Sequence, residues 1–230
     1  MYLLLVPVAF IPMILVCIWI RNSELYERES WTPLVYCFIW GSLIATSAAF
    51  LLEQTLSLHV HSFLLLSVFF APLIEESIKP LILKFLSKEI NELEDGFIFG
   101  AIIGLGFAAT ENLIYGIRFW NEGLLVLISL FYIRSIGTSF LHASTTSITG
   151  YGYSKTKHAQ RSFLNIFPYF ALAVGLHSLF NLFVFSAYIN YQILGVVIAV
   201  VIAFSMLIWI REKIQFFDKR QLLVQTDDPN

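Results

Sequence analysis

Long apolar runs alternate with short polar connections along the whole chain. Seven of them, at roughly 2–20, 33–52, 62–85, 97–117, 124–148, 163–185 and 191–210, come close to the ~20 residues a helix needs to cross ~30 Å of hydrocarbon. The first, second and seventh runs hold no Asp, Glu, Lys, Arg or His and read as plain packing or lipid-facing helices. The third to sixth each carry ionisable residues. The pattern predicts an all-α fold, a polytopic transmembrane helix bundle of about seven spans. It forms one domain over 1–230 with a short basic tail at 211–230. The first run has no basic segment before it and no small-residue cleavage site after it, so it is read as a span and not a secretory signal. No internal repeat is visible.

Composition agrees with this reading. The chain is 58% hydrophobic and 13% charged, with a mean hydropathy of +0.77. Soluble domains carry roughly 25% charged residues. A net charge of −2 argues nothing about nucleic acid, and no nucleic-acid partner is expected. Cys17 and Cys37 both fall inside apolar runs and read as small hydrophobes, since a disulfide framework or a cysteine metal site needs more of them.

Basic residues predict the orientation. Arg21, Arg28, Lys88, Lys155, Lys157, Arg161, Arg211, Lys213, Lys219 and Arg220 fall on one side of the seven-span scheme, against Arg118 on the other. Under the positive-inside rule the N-terminus is expected outside and the C-terminus in the cytoplasm. The tail mixes its basic residues with Phe216 and Phe217 and is expected to rest on anionic headgroups. Residues 227–230 read as frayed.

An ionisable residue at membrane depth is costly and marks a functional site by default. The third run contains Glu75, Glu76 and Lys79 between Pro72 and Pro80. At ~1.5 Å per residue Glu75 lies near the midplane, on one helix face with Lys79 and turned ~100° from Glu76. One acid can pair with the lysine while the other points elsewhere; the plain alternative is a packing ion pair. The two prolines are expected to kink the helix and free backbone carbonyls near the site. The fourth run carries Glu111 and Asn112 after Gly100, Gly104 and Gly106. Gly100 and Gly104 permit close helix approach, and this face is expected to wall a water-filled cavity. Glu111 can also be a structural tie to Arg134 in the fifth run. Counting residues places His142 of the fifth run very roughly 10 Å closer to the cytoplasm than Glu75; it is either a catalytic imidazole or a packing residue. Its neighbours Ser139, Ser144, Thr145 and Thr146 read as helix-interface hydroxyls. In the sixth run His177 and Asn181, four apart, form a donor pair suited to a developing oxyanion or to interhelical hydrogen bonds.

Taken in order, Glu75-Glu76-x-x-Lys79, Phe107-x-x-x-Glu111-Asn112, His142 and His177-x-x-x-Asn181 resemble the PrsW family of intramembrane proteases, which is related to the CAAX prenyl endopeptidases and the wider CPBP group. The resemblance covers nearly half the chain. It implies a multi-pass peptidase of bacterial cell membranes that makes the first cut in a membrane-anchored anti-sigma factor under envelope stress. The CAAX relatives imply a metal-free route in which a glutamate activates water. The chain departs from the CAAX pattern in having Lys79 three residues after the second Glu, where those relatives have Arg four after it, and Glu111 in place of a His. The first departure is shared with PrsW relatives; the second leaves His142 and Glu111 as rival partners of Glu75.

Read as catalysis, Glu75 is the base and Glu76 with Lys79 orients it. His142 or Glu111 holds the water or shuttles the proton, Asn112 completes its motif, and His177 with Asn181 binds the oxyanion. No cofactor is expected; zinc on His and carboxylate ligands is the less favoured alternative, because the spacing is not His-Glu-x-x-His. The expected partners are a single-pass membrane protein substrate and the lipid bilayer. The rival functions are a proton- or ion-coupled transporter, which midplane acids and imidazoles also suit, and a non-catalytic membrane adaptor.

Overall fold

The computed structural model describes residues 2–26, 28–190 and 193–227. Residues 191–192, where the seventh run begins, and 228–230 of the tail lie outside the described residues. The described residues are helical or in short connections, with no strand among them. Five helices are long and apolar enough to cross a membrane: Trp31–Ser57, Leu93–Arg118, Leu124–His158, Phe163–Ser186 and Ile193–Arg220. A shorter apolar helix, α1 (Leu5–Arg21), precedes them.

Two spans contain irregular turns. In Trp31–Ser57, α2 (Trp31–Ile39) passes through a π-helical turn, Trp40–Ala45, into α3 (Thr46–Ser57). The third run is the most interrupted. α4 (Phe63–Leu65) leads into a π-helical turn, Leu66–Phe70, then α5 (Ala71–Ile78), then a 3-10 segment, Lys79–Lys84. Pro72 and Pro80 each stand in the first two positions of a new segment, where a missing N–H costs least. Side chains from other helices reach two carbonyls of this run: Asn181 Nδ2 donates to Ser67 O at 2.8 Å and Trp40 Nε1 to Lys79 O at 3.0 Å.

α6 (Leu93–Arg118) is the central helix, buried along most of its length. It starts at a capping box in which Glu92 and Asp95 satisfy each other's backbone N–H groups. Its partner is α8 (Thr138–His158), which follows α7 (Leu124–Ile136) after a break at Gly137. Gly96, Gly100 and Gly104 lie directly against the α8 backbone at Gly150, Thr146–Ser147 and His142, and Gly106 against Phe38 of α2. A Cβ at any of them would overlap a carbonyl oxygen. The glycine face is therefore a dry helix contact and not the expected cavity wall; once the two backbones touch, no room for water remains between them. Ser147 Oγ closes the contact on Phe97 O at 2.6 Å.

α9 (Phe167–Asn190) and α10 (Ile193–Asp227) complete the bundle. α10 does not stop at Ile210; it continues as one helix through the basic tail. Phe217 stacks on Tyr151 at 5.7 Å, and Asp218 Oδ2 accepts from Leu25 N at 2.8 Å. The tail thus packs partly on the protein itself. Lys157 Nζ donates to the carbonyls of Ser87 and Ile90, and Ser154 Oγ to Glu92 O at 2.6 Å. The connections following the first, third and fifth runs and the tail therefore gather at one end of the bundle, the grouping that the basic residues predicted.

Candidate active site

The short α5 places Glu75 and Glu76 on its last turn, and the 3-10 segment that follows turns Lys79 back over them. Lys79 Nζ is 2.9 Å from Glu75 Oε2, 2.9 Å from Glu76 Oε1 and 2.8 Å from His142 Nδ1. The face of Phe107 lies over the ammonium at 4.1 Å, a cation–π contact strengthened by the apolar surroundings. Lys79, Glu76, His142 and His177 are all buried, with Lys79 and Glu76 at 0% exposure.

An ammonium only donates, so His142 Nδ1 accepts from it. The His142 Nε2–H then donates to Glu111 Oε2 at 2.8 Å. Arg134 Nη2 pairs with the same oxygen at 2.9 Å and stacks over Tyr115 at 3.8 Å. Arg134 Nε donates to Asn112 Oδ1 at 2.9 Å, while Asn112 Nδ2 reaches Ser139 Oγ at 3.1 Å. A polar chain therefore runs from Glu75 through His142 and Glu111 to Arg134, held in place by Asn112. The question of Glu75's neighbour resolves in order: His142 Nδ1 stands 3.7 Å from Glu75 Oε2, and Glu111 lies behind it.

This corrects the depth expected for His142. A count along straight α-helices separated it from Glu75 by a large step. The third run mixes π, α and 3-10 turns, whose rises differ, and the fifth breaks at Gly137, so the two residues meet. The Glu111–Arg134 tie exists, and Glu111 belongs to the site as well.

The two adjacent acids have different surroundings. Glu76 Oε1 accepts from Lys79, from Thr145 Oγ1 at 3.0 Å and from His177 Nδ1 at 3.0 Å, and its Oε2 accepts from Thr146 Oγ1 at 3.3 Å. It is a saturated buried carboxylate. Glu75 takes Lys79 on Oε2 alone, its side chain is 9% exposed, and Oε1 has no hydrogen-bond partner among the described residues. Asn181 is not drawn into the cluster: one turn beyond His177, its amide is engaged on Ser67 O.

Four residues around the site were not legible as contributors in the chain. Thr145 and Thr146, read as interface hydroxyls, bind Glu76. Phe107, read only as a motif position, covers Lys79. Glu53 lay one residue beyond the second apolar run, yet α3 extends past it. It is half-buried one turn from Ala49, which packs with Ile74, Ile78 and Phe107. The signal available was its spacing, four residues after Ala49 and eight after Ala45.

Membrane-length helices that enclose two carboxylates, an ammonium and two imidazoles define a multi-pass membrane protein with an acid–base centre among its spans. Comparison with known proteins gives the family. The model described as PrsW family intramembrane metalloprotease matches residues 29–209. A Protease PrsW of Clostridioides difficile (strain 630) is 26% identical over 206 residues, covering 84% of this chain and 84% of the relative. A Protease PrsW of Oceanobacillus iheyensis is 25% identical over 197 residues, 82% of this chain and 85% of the relative. No solved structure matches. The chain belongs to the PrsW family of intramembrane proteases.

The family's description implies a metal. Glu75, Glu76, His142 and His177 have the right chemistry for one, with a ligand atom from each within 4.8 Å of all the others. They do not fit it as arranged, because Lys79 Nζ already stands among these donors, bonded to three of them.

Proposed function

We propose that this chain is an endopeptidase that hydrolyses a peptide bond of a membrane-anchored protein, with water activated by Glu75 and no metal ion. The observation that carries this is the inequality of the two acids. Glu76 has spent its lone pairs on four donors, whereas Glu75 keeps an oxygen open at the edge of the cluster. Water bound to that oxygen gives its proton to Glu75 as it attacks the scissile carbonyl carbon. His177 donates Nδ1–H to Glu76, and its Nε2 has no hydrogen-bond partner among the described residues; in its protonated form it donates to the oxyanion, then passes that proton to the leaving amine. His142 has both ring nitrogens engaged and acts by fixing Lys79 and Glu111.

The membership in a family of proteases supports the peptidase reading over a transporter or an adaptor. We extend it to the finer assignments: glutamic-type chemistry related to the CPBP group, seven spans with the N-terminus outside, residence in a bacterial cell membrane, and site-one cleavage of a single-pass anti-sigma factor in a stress response. The test is co-expression with tagged single-pass candidates, the chain's own anti-sigma factors first. Wild type should release a shortened fragment, and Glu75→Gln, equally expressed and inserted, should not. Proton or solute flux in proteoliposomes without proteolysis would favour the transporter instead.

A further inference from the structure

We infer that Lys79 is the resident cation of this site, standing where a divalent metal would bind, so that removing its ammonium converts the cluster into a metal site. The inference rests on the hydrolytic reading of the cluster above and adds what occupies its centre.

The donors are those that zinc selects, two carboxylates and two imidazoles, gathered within 4.8 Å of one another. A zinc ion needs its ligand atoms at ~2.0–2.2 Å. An ion shared by Glu75 Oε2, Glu76 Oε1 and His142 Nδ1 would have to stand at their common neighbour, and Lys79 Nζ holds that point at 2.9, 2.9 and 2.8 Å. Two cations in one cage at that distance repel strongly in an apolar interior. The lysine also has the advantage of attachment. It is covalently tethered one helical turn from both acids, 0% exposed, and its ammonium is covered by Phe107. A free ion would have to displace a group that cannot diffuse away, and the stem has no exposed route along which to withdraw.

The exchange has a chemical consequence. An ammonium offers directed N–H bonds and one positive charge, with no vacant coordination position for water or a carbonyl oxygen. It positions the acids and offsets their charge, leaving Glu75 to act on water alone. Lys79 is thus a positioning residue.

The experiment is metal content in the purified full-length chain. Wild type, Lys79→Ala and Lys79→Ala combined with His142→Ala are incubated with zinc in detergent, freed of unbound ion by gel filtration and analysed by mass spectrometry. Wild type should hold under about a tenth of a zinc per chain, and its cleavage should survive strong chelators. Lys79→Ala should hold about one zinc per chain and melt at a higher temperature with zinc than without. The double variant should lose most of that zinc. Stoichiometric zinc in wild type, removed by chelators together with activity, overturns the inference. So does a Lys79→Ala chain that folds without taking zinc or stays aggregated in its presence. Absence of cleavage by wild type counts against the peptidase reading and leaves the zinc ratios to decide the role of Lys79.

Discussion

Two carboxylate clusters in this protein handle the same electrostatic problem differently. Glu75 and Glu76 lie inside the bundle with Lys79 between them and His177 alongside. Glu24, Glu29 and Asp95 lie at the end of the bundle where the basic connections gather. In the second cluster Arg21 Nε and Arg28 Nε donate to the backbone carbonyls of Glu29 and Glu24, not to their carboxylates. Burial first, and repulsion from neighbouring acids after it, push Glu24 up to about 8 and Glu29 up to about 9, and the Glu29 and Asp95 carboxyls share a hydrogen bond. One cluster is offset by a built-in cation; in the other, Glu24 and Glu29 retain their protons. In the first, Glu75 Oε1 has no hydrogen-bond partner among the described residues and lies beside fixed donors, which is what hydrolysis needs. Gathering acids is therefore insufficient; the counter-charge decides whether they become a site.

Five substitutions probe that contrast. The largest effect is expected at Glu75: Glu75→Gln should lower cleavage at least about 100-fold with little change in melting temperature, whereas Glu76→Gln, which leaves its donors and Lys79 poorly matched, should lower both. Equal behaviour of the two variants in paired cleavage and melting assays would erase the distinction between them. Next, Lys79→Met removes the cation and leaves buried acids unpaired, a loss of about 3–5 kcal/mol, readable by denaturation in detergent. Thr145→Val should cost about 1.5–3 kcal/mol, the range for a hydrogen bond to a charged group, and reduce activity only through Glu76; a loss of turnover with unchanged stability would instead place Thr145 in the chemistry. The smallest effect belongs to the outer cluster. Glu24 and Glu29 hold protons in the folded chain that an unfolded chain releases above about 4.5. Their contribution is complete below that pH and declines as pH rises through about 8 to 9. Glu29→Gln should flatten this decline, shifting melting by about 2–4 °C at alkaline pH, and leave cleavage unchanged. A comparable flattening by Glu75→Gln would mean that the two clusters are alike.

Much of this was legible in the chain. The apolar runs gave helix existence and approximate ends, because a helix in lipid must satisfy its own backbone and the bilayer sets its length. Glu75, Glu76, Lys79, Glu111, His142 and His177 were selected by the cost of placing them there, and the structure brings all six together. The spacing of Gly100 and Gly104 announced a close contact, though not that it excludes water. The 10 Å error at His142 came from counting along ideal helices, when the route from Pro72 to Lys79 and the break at Gly137 are settled only by packing.

By itself the sequence determined the class of fold and which buried ionisable residues would gather, since these follow from local hydropathy and from the penalty for burying charge. Tertiary structure alone decided which acid is saturated and which is open, that Asn181 serves Ser67, that Thr145 and Thr146 bind Glu76, and that the Lys79 ammonium stands among Glu75, Glu76 and His142. Those outcomes depend on which atoms from α5, α6, α8 and α9 come within 3 Å of each other, and hydrogen-bond strength changes over tenths of an ångström. No pattern along a single helix carries that information.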